Sequence, residues 1–168
     1  MRRGSWAQYR TTDLPEPTGT LVAFYDLNGR LAYRFTENSQ LTATVYRSFD
    51  TFRFPQDTLH TTQSTLFKAR CSQRFGPKLS VNVTATQSDY RFFLDGLTIA
   101  NTFRYRSTIR QRDARMDWLV TPSSKHRLEV GGSLTRYSLL PGAIVPTGEA
   151  TNVNAQTLPT EQSREWAG

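Results

Sequence analysis

Apolar and polar residues alternate with a period of two through most of the chain, most regularly over Arg112–Tyr137. There Ala114, Met116, Trp118 and Val120 fall on one face, with Asp113, Arg115 and Asp117 on the other. After the polar turn Thr121-Pro122-Ser123-Ser124-Lys125, Leu128, Val130, Gly132 and Leu134 alternate with Glu129, Gly131, Ser133 and Thr135. Such a period predicts two antiparallel strands that separate unlike environments. The plan occurs twice earlier. Tyr25, Leu27, Gly29, Leu31, Tyr33 and Phe35 share a face, Glu37-Asn38-Ser39 turns the chain, and Leu41, Ala43, Val45 and Phe49 follow, with Arg47 the one misfit. Phe67, Ala69, Cys71 and Phe75 then lead through Gly76-Pro77-Lys78 to Leu79, Val81, Val83 and Ala85. β-Branched and aromatic residues dominate, and no segment carries a helical stripe.

The predicted fold is therefore all-β: an antiparallel up-and-down meander of about six long strands in three hairpins, an open segment of a transmembrane β-barrel. Residues 1–19 read as a loop or frayed segment, 20–138 as the partial barrel, and 139–168 as an extracellular-loop-like tail rich in Pro and Gly. The strands exceed the usual length of about 5–6 residues. Short turns alternate with longer links, Asp50–Ser64 and Leu94–Thr108, as periplasmic turns alternate with extracellular loops. Phe35, Phe75 and Trp118 gather at the turn side and Tyr25, Phe49, Phe92 and Tyr137 at the other, as two interfacial girdles would. In this arrangement Arg30, Arg34, Lys68, Arg70, Arg74, Asp113, Arg115, Asp117 and Glu129 face a wet lumen. Leu27, Leu31, Val81, Val83, Met116, Trp118 and Val130 face lipid. A soluble β-sandwich or lipocalin-like barrel would use the same alternation to fill a core, and the pattern leaves that alternative open.

Composition narrows the partners. A net charge of +7 and a pI near 10.0 would suit nucleic acid, anionic lipid or an acidic solute. The basic residues are spread along the alternating segments instead of clustered, which argues against nucleic acid. The one cysteine, Cys71, excludes an internal disulfide and a cysteine zinc site. No apolar run follows Met1-Arg2-Arg3, so an export signal is not expected within this chain.

Three stretches resemble the barrel of TonB-dependent outer-membrane receptors. They are FYDLNGRLAYRF (Phe24–Phe35), LFKARCSQRFGPKLSVNVT (Leu66–Thr84) and the hairpin from Ile109 through Gly142. In the last, His126, Gly131, Gly132, Pro141 and Gly142 stand where the family pattern has its His, Gly-Gly and Pro-Gly. Cys71 stands where that pattern has Trp. The likeness covers residues 20–145 with order and spacing kept. It implies a receptor or transporter that binds a solute and takes it up across the outer membrane of a Gram-negative bacterium. Outer-membrane lipid surrounds such a barrel, and a TonB-type energy-transducing protein acts through a plug and TonB box that are absent here. Six strands do not close around a plug, so the chain is expected to be an internal piece of such a barrel. The other reading is a soluble antiparallel module with a basic binding or structural role.

No catalytic constellation is expected. His60 and His126 lie in different connections and offer too few ligands for a metal, and no cofactor motif is present. Asp113, Asp117 and Glu129 beside Arg112 and Arg115 are expected to form cross-strand ion pairs and not an acid–base dyad. Solute contact is expected on the long links and on 139–168. Arg104, Arg106 and Arg110, near the outer end, are candidates for anionic lipid headgroups.

Overall fold

The computed structural model describes residues 21–53, 58–98, 101–149 and 151–168; the expected loop at 1–19 lies outside them. Six long strands run in sequence: β1 (Leu21–Thr36), β2 (Ser39–Arg53), β3 (Thr58–Phe75), β4 (Leu79–Thr98), β5 (Asn101–Ser123) and β6 (His126–Pro146). Two short ones follow, β7 (Gln156–Thr157) and β8 (Glu161–Ala167). All neighbours pair antiparallel in one open sheet, and β7 and β8 both lie against the outer edge of β6. This is the expected meander, with two extra segments.

The turn-side end follows local chemistry. Glu37-Asn38 closes β1 onto β2, Gly76-Pro77-Lys78 closes β3 onto β4, and Ser124-Lys125 closes β5 onto β6. Gly76 takes a φ of 70°, which a residue with a Cβ enters only at a cost. Neighbouring turns are tied together where Arg74 N donates to Asn38 O and Thr121 N to Lys78 O, both at 2.8 Å.

The other end departs from expectation. The sequence between Asp50 and Ser64 is polar, yet β2 and β3 continue through it and leave only 54–57 to connect them. Between Leu94 and Thr108 only 99–100 connect β4 to β5. The long links are thus mostly strand. The same holds for the tail expected at 139–168, where β6 runs on to Pro146 and β8 pairs along its edge. Pro141-Gly142 reads as a loop start in sequence, but the sheet takes it up as a bulge: Arg106 faces Ala143 while Thr108 faces Leu140. Proline is tolerated there because the ladder asks no donor of it.

The described residues form a single layer. Ala143 is the one buried hydrophobic residue among those described, and Leu31, Val130 and Trp166 are 71%, 61% and 75% exposed. Backbone pairing holds the sheet; among the described residues nothing packs over either face. An open sheet with two edges and uncovered apolar surface associates in water. In plain buffer the chain is expected to sediment as aggregates, and in a neutral detergent as a single species. A monomer in plain buffer that unfolds cooperatively would contradict this. Gly76→Val is expected to destabilise the detergent-held chain by about 1–2 kcal/mol, read from its denaturant midpoint.

Candidate functional site

Because directly opposed residues share a face, the register sorts every side chain into one of two. Face I carries Leu27 and Leu31 on β1, Val81 and Val83 on β4, Met116 and Trp118 on β5, and Val130 on β6. Those are the seven residues assigned to lipid from sequence. Face II carries Arg30, Arg34, Lys68, Arg70, Arg74, Asp113, Arg115, Asp117 and Glu129, the nine assigned to a lumen. Each set shares a single face.

The expected cross-strand pairing of these charges is not what forms. Arg115 Nε meets Asp117 Oδ1 at 2.8 Å along β5, and Arg127 meets Glu129 at 2.6 Å along β6. Asp113 instead accepts a bond from Thr135 Oγ1 at 3.1 Å. Arg112 lies on face I, opposite Arg136, because it is one residue out of step with Asp113. The ion pairs that do cross strands sit farther from the turns, Arg110–Asp89 and Arg104–Asp95, both at 2.6 Å and both on face I. Asp89, beyond the apolar positions of β4, is pushed up by burial, but hydrogen bonds from Arg110 and Gln87 outweigh this and hold its carboxyl below the usual range.

Away from the turns the faces exchange character. On β4, face I is apolar at Leu79, Val81, Val83 and Ala85, then becomes Gln87, Asp89 and Arg91. Face II is Ser80, Asn82, Thr84 and Thr86, then becomes Tyr90, Phe92 and Leu94. Across the sheet this yields an aromatic strip on face II. Phe52 and His60 stack at 4.6 Å with 5° between planes, His60 lies 6.2 Å from Phe92, and Phe92 lies 6.1 Å from Tyr105. The His60 ring is further held by Thr58 Oγ1 at 3.1 Å from Nε2. Phe92 and Tyr137, expected in an outer girdle with Tyr25 and Phe49, therefore sit on the opposite face from them; Tyr25 and Phe49 stack on face I at 5.5 Å.

The strip depends on the bulge. Tyr105 lies across Gly142, where an added Cβ would come within 2.8 Å of its Cε2, and its hydroxyl donates to Pro141 O at 2.8 Å. Chemically the strip is a platform for apolar or planar groups, with Asp50 and the Tyr105 hydroxyl as polar neighbours. Sequence reasoning missed it because it ended the strands at the polar stretches that the strip occupies. The signal was present in the parity shift from Ala85 to Tyr90. His126 lies at the opposite end of the sheet beside its turn, facing Ser123, so the two histidines do not meet. Among the described residues no group of three His, Cys, Asp or Glu is placed to hold a metal.

No protein-family model matches the chain, and neither a curated protein nor a solved structure shows a significant likeness to it.

Tyr105→Phe is expected to cost about 1 kcal/mol through the orphaned Pro141 carbonyl, read from the unfolding midpoint in detergent. Gly142→Val is expected to cost more, by displacing the ring. Equal stability of both variants with the parent would contradict the role given to the bulge.

Proposed function

We propose that the chain forms a wall segment of an outer-membrane β-barrel of the TonB-dependent receptor kind, which binds a solute and takes part in its uptake. The observation that carries this reading is the exchange of polarity along the strands. A soluble sandwich buries one face of each strand along its whole length. A strand that crosses a bilayer and continues beyond it needs an apolar outer face only within the hydrocarbon, and a polar outer face where it emerges.

The shape of the apolar band supports the same reading. Its edge away from the turns lies at Leu134 on β6, Ala85 on β4, Val45 on β2 and Tyr25 on β1, and Arg47, opposite Leu27, stands just beyond it on β2. The edge keeps one row from β6 to β4 and then moves outward, by two residues at β2 and by six, roughly 20 Å, at β1. On β1 the band runs from Tyr25 to Phe35, close to the about 9–11 residues of a tilted spanning strand. On β4 and β6 it is shorter, Leu79–Ala85 and Leu128–Leu134. The resemblance of Phe24–Phe35, Leu66–Thr84 and Ile109–Gly142 to receptor barrels supplies the family.

In this role face I meets lipid, the charged half of face II lines a wet interior, and the aromatic strip lines the outer mouth where solute arrives. A plug and a periplasmic energy-transducing partner would drive release. The open edges of β1 and β8 would pair with further strands of the barrel wall.

Cys71 on face I and Thr84 on face II provide the test, since both lie in the turn-side half. In vesicles Cys71 is expected to resist a charged thiol reagent, while Thr84→Cys in a Cys71→Ser background reacts. The reverse order would sink the assignment. Met116→Arg is expected to cost about 2–4 kcal/mol in vesicles, and Thr84→Glu, set between Arg70 and Arg115 on face II, to stay within about 0.5 kcal/mol.

A further inference from the structure

Directly beyond the apolar band on β4–β8, face I carries a dense group of arginines. Arg112 on β5 faces Arg136 on β6, and Arg136 faces Arg164 on β8, so three arginines occupy one cross-strand row on the same face. The next positions outward add Arg110, Arg91 and Arg106. Like charges placed directly opposite one another destabilise a sheet. Here they are hardly offset. Arg110 has Asp89, and Arg136 donates to the Gln162 amide oxygen at 2.7 Å. Arg91 also lies within electrostatic reach of Asp89, whereas Arg106, Arg112 and Arg164 form no ion pair among the described residues. A hollow of about 150 Å³ opens between Arg110, Arg112, Arg136, Ser138 and Gln162.

We infer that this row is a docking site for the phosphate groups of anionic lipids at the membrane surface. Planar guanidinium groups with free N–H donors match phosphate oxygens in pairs. The position selects a lipid over a dissolved phosphate. The row immediately turnward is Ala85, Ala114, Leu134 and Trp166, with Trp166 75% exposed. Acyl chains laid against that row bring their headgroups to the arginines. An indole beside a guanidinium at the edge of an apolar band is the arrangement that a bilayer interface favours. The other side of the sheet differs, because Arg30, Lys68 and Arg70 on face II have no apolar row next to them. The inference goes beyond the proposed function and rests on its reading that face I meets lipid.

The test uses the full chain, refolded in neutral detergent and diluted into vesicles of phosphatidylcholine alone or with phosphatidic acid. Trp118 and Trp166 report insertion through quenching by brominated acyl chains. Phosphatidic acid is expected to raise partitioning about a hundredfold, from the contribution each basic residue makes at an anionic surface. R112Q/R136Q/R164Q is expected to lose that gain while still entering phosphatidylcholine. R112K/R136K/R164K should retain most of it. R30Q/K68Q/R70Q, which removes the same charge from face II, should keep all of it.

Equal loss in the face II variant would show a net-charge effect and overturn the site. Full retention in R112Q/R136Q/R164Q would overturn it too, as would suppression by millimolar inorganic phosphate at constant ionic strength, which marks a free-anion site. Failure to enter either kind of vesicle would overturn the lipid-facing reading along with this one. Entry into both without preference would overturn this inference alone.

Discussion

The interstrand hydrogen-bond ladder is the constraint on which everything else in this molecule depends. In most domains a packed core fixes the position of each strand, but here the described residues form a single layer, and Ala143 is the one buried hydrophobic residue among them. Register is therefore carried by backbone pairing and by the turns that set it. β3 and β4 pair without a slip from Thr58↔Gly96 to Phe75↔Leu79. A slip of one residue there would set Arg70 and Arg74 of β3 on the same side as Val81 and Val83 of β4.

Given that register, chemistry is distributed by rows and not by pockets. One half of the sheet sets Arg, Lys, Asp and Glu against a face of Leu, Val, Met and Trp. The other half sets Phe52, His60, Phe92 and Tyr105 against Arg91, Arg106, Arg110 and Arg112. In the proposed membrane setting, a strand that passes from one regime to the other would pass from one solvent to another. The boundary keeps one row from β6 to β4 and moves outward on β2 and β1. That geometry joins the membrane reading, the aromatic mouth and the arginine row into one arrangement.

Bulges adjust this scheme locally. At Pro141-Gly142 two residues of β6 are set against Ser107 of β5, which reverses the parity of β6 beyond that point. Ile144 thereby joins the face of Tyr105, and Ala143 the face of Arg106. The missing Cβ of Gly142 leaves room for the Tyr105 ring. A dipeptide that looks like the end of a strand thus shapes the strip that the strand helps to build.

Sequence alone determined the fold class, the turn-side ends of the six long strands, and the membership of the two faces nearest those turns. These follow from local rules: period-two alternation fixes relative facing, and Glu37-Asn38 and Gly76-Pro77 fix where the chain reverses. The exchange of polarity was also written in the chain, in the step from Ala85 to Tyr90 on β4, but alternation with a changed phase reads locally as a break. Only the tertiary structure decided that strands continue through Asp50–Ser64 and Leu94–Thr108, that Glu161–Ala167 pairs with β6, and that Arg112, Arg136 and Arg164 stand abreast. The physical reason is that a polar strand is held by its neighbours' backbone groups. Which residues then lie side by side depends on partners distant in sequence and on bulges that alternation does not reveal.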